Sequence, residues 1–120
     1  MWIFTKYGFF SVVCARRGFG HPFEPIDPNR VMVRSRSRSH LEALQKRFSQ
    51  AAGEIMSFDG SDYPYRVFLP KSVWATIMAE LSMEIDYDNF KSEVAESGLT
   101  EPAYGQCLHL VWSTMRSLEK

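Results

Sequence analysis

An α+β fold, a ferredoxin-like plait with an antiparallel sheet of about three to four strands and helices on one face, follows from three features of the sequence. Segments that alternate every second residue come early, segments with a 3.6-residue apolar period come late, and the 120-residue length and 45% hydrophobic content suit one packed domain spanning residues 1–120. The order read along the chain is strand, strand, helix, strand, then three helices.

Residues 2–15 are rich in aromatic and β-branched side chains and read as a strand broken or bulged near Gly8. Phe10 and Val12 then face one way, and Phe9, Ser11 and Val13 the other. The segment 17–29 carries Gly18, Gly20, Pro22, Pro25 and Pro28, so it lacks backbone donors and reads as a loop between two strands.

The next strand, about residues 31–38, has the most regular alternation in the chain. Arg30, Met32, Arg34, Arg36 and Arg38 occupy even positions; Val31, Val33 and then serines occupy odd ones. If the valines enter the core, the guanidinium groups line the opposite face. Ser39 fits a helix N-cap with Glu42 as its capping-box partner, and Leu41, Leu44 and Phe48 lie on one side of the helix that Gly53 would close. Asp59-Gly60 marks a turn. Tyr65, Val67 and Leu69 alternate in the strand 63–69, with Pro64 at its start or on an edge, and Arg66 joins the arginine face.

After Pro70, a helix over 71–85 shows Val73, Ile77, Leu81 and Ile85 at helical spacing, flanked by Trp74 and Met78. Asp88 is placed to cap a short helix over 89–96, ended by Ser97-Gly98. A last helix spans about 102–118, with Pro102 in its first turn and Tyr104, Leu108, Val111, Met115 and Leu118 as its apolar stripe. Trp74 and Trp112 are expected to share the core.

Several of these segments carry a resemblance. Gly8-Phe9-Phe10-Ser11-Val12-Val13, Val33-Arg34 running into Leu41-Glu42-Ala43-Leu44, Asp62-Tyr63-Pro64-Tyr65-Arg66, Ile85-Asp86-Tyr87-Asp88-Asn89-Phe90-Lys91 and Trp112 in a closing helix resemble a widespread family of small bacterial proteins with no assigned activity. The resemblance implies membership of that family and carries over no cofactor, partner or site. The loop over 17–29 is longer here than the short turn of such sequences.

Fourteen basic residues balance fourteen acidic ones, which excludes a surface built as a whole for nucleic acid or an anionic membrane and leaves room for a local basic patch. The opening residues lack the basic start of a signal peptide and are interrupted by Lys6, and no stretch is long enough to span a bilayer. Cys14 and Cys107 have neither metal-ligand spacing nor the density of a disulfide scaffold. A cytoplasmic protein is expected.

Arg34, Arg36, Arg38 and Arg66 are the leading site candidates. Guanidinium groups recognise phosphate oxygens through paired donors, and on alternate strand residues they lie about 7 Å apart, near the phosphate spacing of a nucleic-acid strand. Phe9 or Phe10, Tyr63 and Phe68 are candidates for base stacking. The plainer alternative is a solvated sheet face whose arginines are neutralised by acids such as Asp62 and Asp86. Asp86 and Asp88, with Asp62 and Glu84, form a second cluster, without the glycine and terminal glutamate of a calcium loop. His21, His40 and His109 show no zinc spacing, and no nucleophile elbow or phosphate-cradling glycine loop occurs.

The expectation is a non-enzymatic binding or interaction domain with no cofactor and no metal, engaging an anionic partner or nucleic acid through the arginine face. The alternatives are a small enzyme using Asp86, Asp88 or His109, and a homodimer through the broad apolar stripe of the last helix.

Overall fold

Gly8 makes the first hairpin. In the computed structural model, which describes residues 1–18 and 23–120, β1 (Trp2–Thr5) turns through Lys6 and Tyr7 into β2 (Gly8–Arg16). Gly8 has φ of 143°, a backbone conformation that side chains with a Cβ rarely adopt. The buried Thr5 hydroxyl ties the turn, accepting from the Tyr7 and Gly8 N–H groups at 3.1 and 3.2 Å and donating to the Gly8 carbonyl at 2.9 Å. His21 and the middle of the proline-rich loop lie outside the described residues.

β2 continues into β3 (Ile26–Ser35), with a register shift between Cys14 and Ala15, and β3 pairs in turn with β5 (Tyr65–Pro70). A fifth strand, β4 (Met56–Ser57), pairs only with β5; two residues are too few to show a period in the sequence. The sheet has five strands in the order β1-β2-β3-β5-β4, and every neighbouring pair is antiparallel. β3 and β4 are therefore parallel to each other across β5, joined by α1 (Arg38–Arg47), which makes one split β-α-β unit. A ferredoxin-like plait repeats that unit. Here α2 (Lys71–Met83) leads into more helix, and the place beside β3 is taken by β2 from earlier in the chain.

Val12, Val33 and Val67 stand opposite one another across β2, β3 and β5, as do Val31 and Leu69 across β3 and β5. They form the core with Leu41, Leu44 and Phe48 of the α1 region and Trp74 and Ile77 of α2. Each such side chain contributes about 1.5–3 kcal/mol by leaving water. The Trp74 indole N–H is buried and has no hydrogen-bond partner among the described residues.

Helices on one face only is the expectation that the structure corrects. α3 (Phe90–Ser97) and α4 (Pro102–Met115) bury Val94, Tyr104 and Leu108 against Phe4 and Phe9, which pair with each other on the face opposite the main core. The cause is local. Ile3 and Phe10 point into the main core while Phe4 and Phe9 point away from it, so the first hairpin is apolar on both sides and needs two covers. The Tyr104 hydroxyl donates to the Thr5 carbonyl at 2.8 Å, and burial pushes its pKa upward.

Other boundaries shift for identifiable reasons. β3 ends at Ser35, whose buried hydroxyl accepts from the Ser37 N–H at 3.1 Å and donates to the Ser37 carbonyl at 2.9 Å, turning the chain before the helix. Ser37, not Ser39, is then the N-cap of α1, so Arg38 lies in the helix. α1 ends at Arg47, before Gly53, and α2 ends at Met83, leaving Ile85 exposed. α3 is capped by Asn89, whose Oδ1 accepts from the Ser92 N–H at 2.9 Å; Asp88 plays no part. Trp112 is 49% exposed and so does not share the core with Trp74.

Replacing Gly8 tests how closely the hairpin is packed, because a Cβ there would overlap the His40 ring. Gly8→Ala is expected to lower stability by about 2–4 kcal/mol, read as the urea midpoint. The cost should shrink in a His40→Ala background, and equal costs in both backgrounds would exclude this contact as its source.

Candidate functional site

One cross-strand row organises the face opposite the main core. Trp2 pairs with Ser11, Ser11 with Arg34, Arg34 with Arg66, and Arg66 with Met56. Residues directly opposite in a sheet share a face, so an aromatic ring and two guanidinium groups stand in line.

The arginines are held in place by neutral partners. Arg34 Nη2 donates to Ser11 Oγ at 2.7 Å and its Nε to the Ser11 carbonyl at 3.4 Å. Its guanidinium lies 4.6 Å from the Tyr63 ring centre, and that of Arg36 lies 4.9 Å from the same ring. Arg66 Nη2 donates to Ser61 Oγ at 2.7 Å and its Nε to the Tyr63 carbonyl at 3.2 Å, with the Phe58 ring at 4.6 Å. Burial, and then the like charge of Arg34, lower the Arg66 pKa from its ordinary value.

Among the described residues, no carboxylate lies within 4.0 Å of the guanidinium nitrogens of Arg34, Arg36 or Arg66. Asp62 and Asp86, the neutralising partners considered from the sequence, make no ion pair with them. Two other arginines stand apart. Arg38 projects from α1 and pairs with Glu42 at 3.5 Å, so it leaves the sheet face on which the alternation put it. Arg30 is neutralised by Asp27 at 3.0 Å and donates to the Arg16 carbonyl at 3.0 Å. The Asn29 N–H and the Arg30 side chain hold the Asp27 pKa down.

Beside this row a cleft of about 420 Å³ opens between the sheet, the start of α1 and α4. Trp2, Phe9 and Tyr63 wall it from the sheet side, Tyr104, Cys107 and Val111 from α4, and Arg36, Ser37, His40 and Glu101 are among its polar residues. Its volume falls within the ordinary range for small-ligand pockets. Trp2 is 69% exposed and meets Phe9 edge-on, with ring centres 5.9 Å apart.

His40 and Glu101 form a polar pair in the cleft. The Phe9 N–H donates to His40 Nδ1 at 3.3 Å, so the ring proton sits on Nε2 and is donated to the Glu101 carboxylate at 3.1 and 3.2 Å. Burial holds the His40 pKa below its ordinary value, against the opposite pull of Glu101. Both ring nitrogens are engaged, so the imidazole offers no free base to the cleft. The carboxylate of Glu101 is half exposed and lines the cleft.

Neither Glu101 nor the placement of His40 beside it was legible from sequence spacing. Glu101-Pro102 marks a helix start and nothing more, because the partners lie 61 residues apart. A second polar cluster also joins distant segments: the Tyr7 hydroxyl donates to Glu84, which pairs with the exposed Arg47 at 2.7 Å, and burial with the Glu84 hydrogen bond and charge pushes the Tyr7 pKa up to about 12.

The residues of the enzyme alternative do not assemble. Asp86, Asp88 and His109 are exposed; Asp88 lines a groove with Phe90, Lys91 and Trp112, which neither Asp86 nor His109 lines. His109 stacks on Trp112 instead, ring centres 5.8 Å apart. Among the described residues, no group of three or more His, Cys, Asp or Glu side chains is placed to hold a metal ion.

Comparison with known proteins adds no assignment: no family model, no curated protein and no solved structure matches the chain.

The dyad predicts a pH response. The His40 ring is expected to titrate below 6.5 in an NMR titration, and lower still in Glu101→Gln, which loses the charge that raises it. With the folded value depressed, this contribution to stability is fully present above the unfolded value and is lost as the pH falls through the folded one.

Proposed function

We propose that this protein is a cytoplasmic, non-enzymatic binding domain that engages an anionic partner through Arg34, Arg36 and Arg66, with single-stranded nucleic acid as the sharpest form of that reading. The observation that carries it is three neighbouring guanidinium groups with no carboxylate in ion-pairing range among the described residues. Such a cluster costs free energy through mutual repulsion, which an incoming phosphate relieves.

Two further observations support it. Ser11, Ser61 and the rings of Tyr63 and Phe58 orient the guanidinium groups before any ligand arrives, so less side-chain freedom is lost on binding. A reducing compartment suits the two free, exposed cysteines, and among the described residues no helix is long and apolar enough to cross a membrane.

Salt titration tests the reading. Three phosphate contacts on a single strand correspond to a slope of about −2 in log K against log salt, or roughly a twentyfold loss of affinity for a fluorescent oligonucleotide between about 50 and 200 mM. In Arg34→Ala with Arg36→Ala the slope should fall to about −0.7. No binding of the oligonucleotide at the lower salt would sink the nucleic-acid form, and no binding of heparin either would sink the anionic reading altogether.

A homodimer is the second reading, favoured by the exposure of Leu110, Trp112, Met115 and Leu118 along α4 and the turn that follows. Light scattering should then report twice the monomer mass at micromolar concentration; the monomer mass throughout would remove it.

A further inference from the structure

We propose that the cleft beside the arginine row binds a zwitterion built on a quaternary ammonium, phosphocholine being the simplest form, with the trimethylammonium group against Trp2 near Glu101 and the phosphate on Arg36. The phosphate half of the site rests on the anion-binding reading above, and the ammonium half goes beyond it.

Two opposed charges line one cleft without cancelling. Arg36 and Glu101 both border it, and among the described residues no ion pair joins them. Glu101 takes its hydrogen bond from His40, whose other ring nitrogen accepts the Phe9 N–H, so the imidazole carries one proton and leaves the carboxylate charge in place. A simple cation meets Arg36, and a simple anion meets Glu101. A molecule that satisfies both carries both signs.

The kind of cation follows from what His40 already occupies. Its Nε2 lies 3.1 and 3.2 Å from the two Glu101 oxygens, astride the edge on which an ammonium or guanidinium with N–H donors would bond. The charge of the carboxylate remains while its hydrogen-bonding edge is taken. A quaternary ammonium has no N–H to place; it is drawn by charge at longer range and by aromatic ring faces within about 6 Å. Tyr63 already holds Arg34 and Arg36 on its ring, so Trp2 is the wall left for a cation. Trp is the strongest ring for that contact. Trp2 is well exposed, and its edge-on contact with Phe9 leaves at least one indole face uncovered by that ring. At the other end Arg36 is exposed, with no carboxylate in range, and offers paired N–H donors to phosphate oxygens.

Cys107 lines the same cleft and is exposed, whereas Cys14 on β2 does not line it. A Cys14→Ser protein therefore reports occupancy through one thiol. Phosphocholine is expected to slow Cys107 labelling by a chromogenic disulfide severalfold at saturation, and phosphoethanolamine, with N–H donors in place of methyl groups, to bind about tenfold more weakly. Trp2→Ala should weaken phosphocholine by about tenfold, and Trp2→Phe should recover most of that loss. Glu101→Gln keeps an acceptor for His40 and removes the charge, so it should weaken phosphocholine while circular dichroism shows the fold intact. Arg36→Ala should make choline and phosphocholine equivalent.

Vesicles separate the two sources of this headgroup. Co-sedimentation with phosphatidylcholine vesicles that is absent with phosphatidylethanolamine and lost in Trp2→Ala assigns the cleft to a lipid surface; protection by free phosphocholine without co-sedimentation assigns it to a soluble zwitterion. Absence of both at millimolar phosphocholine, or equal protection by phosphoethanolamine, overturns the proposal. Salt-dependent oligonucleotide binding with no protection by phosphocholine overturns the cleft and keeps the arginine surface, whereas protection by choline and phosphocholine alike in the unmutated cleft, with no binding of oligonucleotide or heparin, overturns the phosphate half together with that surface.

Discussion

His40 sits where three parts of the molecule meet, and the geometry of the cleft depends on that contact. Its ring packs so closely on Gly8 that no side chain fits there, accepts the Phe9 N–H, donates to Glu101 and lies edge-on to Tyr104. The first hairpin, α1 and α4 are thereby tied at one point. Packing of this kind passes any displacement to its neighbours, since interiors are close-packed and have little room to yield. A neutral imidazole suits the place because a charge there would be stranded away from water.

The two-sided hairpin explains why the fold departs from a simple layered plait. β1 and β2 are apolar on both faces, so α1 and α2 alone cannot cover them. α3 and α4 close over Phe4 and Phe9, and they stop short of Arg34 and Arg66. That partial cover creates the boundary along which the cleft runs, with apolar walls on one side and cations on the other. The function proposed for the face is a consequence of where the second cover ends.

The arginines illustrate how context decides what a charge does. Arg30, Arg34, Arg36 and Arg38 look equivalent in the chain, yet Arg30 and Arg38 find carboxylates, while Arg34 and Arg36 rest on the Tyr63 ring and Arg34 also bonds Ser11. Neutral hydrogen bonds orient a guanidinium without discharging it. The cluster thus keeps its positive potential in a protein whose formal net charge is zero.

Much of the fold was legible along the chain because local periods report local burial. Val31, Val33, Val67 and Leu69 alternate as a half-buried sheet requires, and the spacing of Leu41, Leu44 and Phe48 and of Val73 and Ile77 marks helices packed on one face. The near-continuous apolar run from Trp2 to Val13 already contained the signal for a hairpin covered twice. Shared strand register likewise follows from period two, which is why Arg34 and Arg66 meet on one face as the alternation implied. Three things had no sequence signal. The change from strand to helix at Ser35–Ser37, which removed Arg38 from the face, was decided by a buried hydroxyl. The pairing of His40 with Glu101, and the convergence of Trp2, Arg36 and Cys107 around them, were decided by how α4 docks on the hairpin. Periodicity records which side of its own element a residue occupies; the distance between residues on different elements is set only when those elements pack.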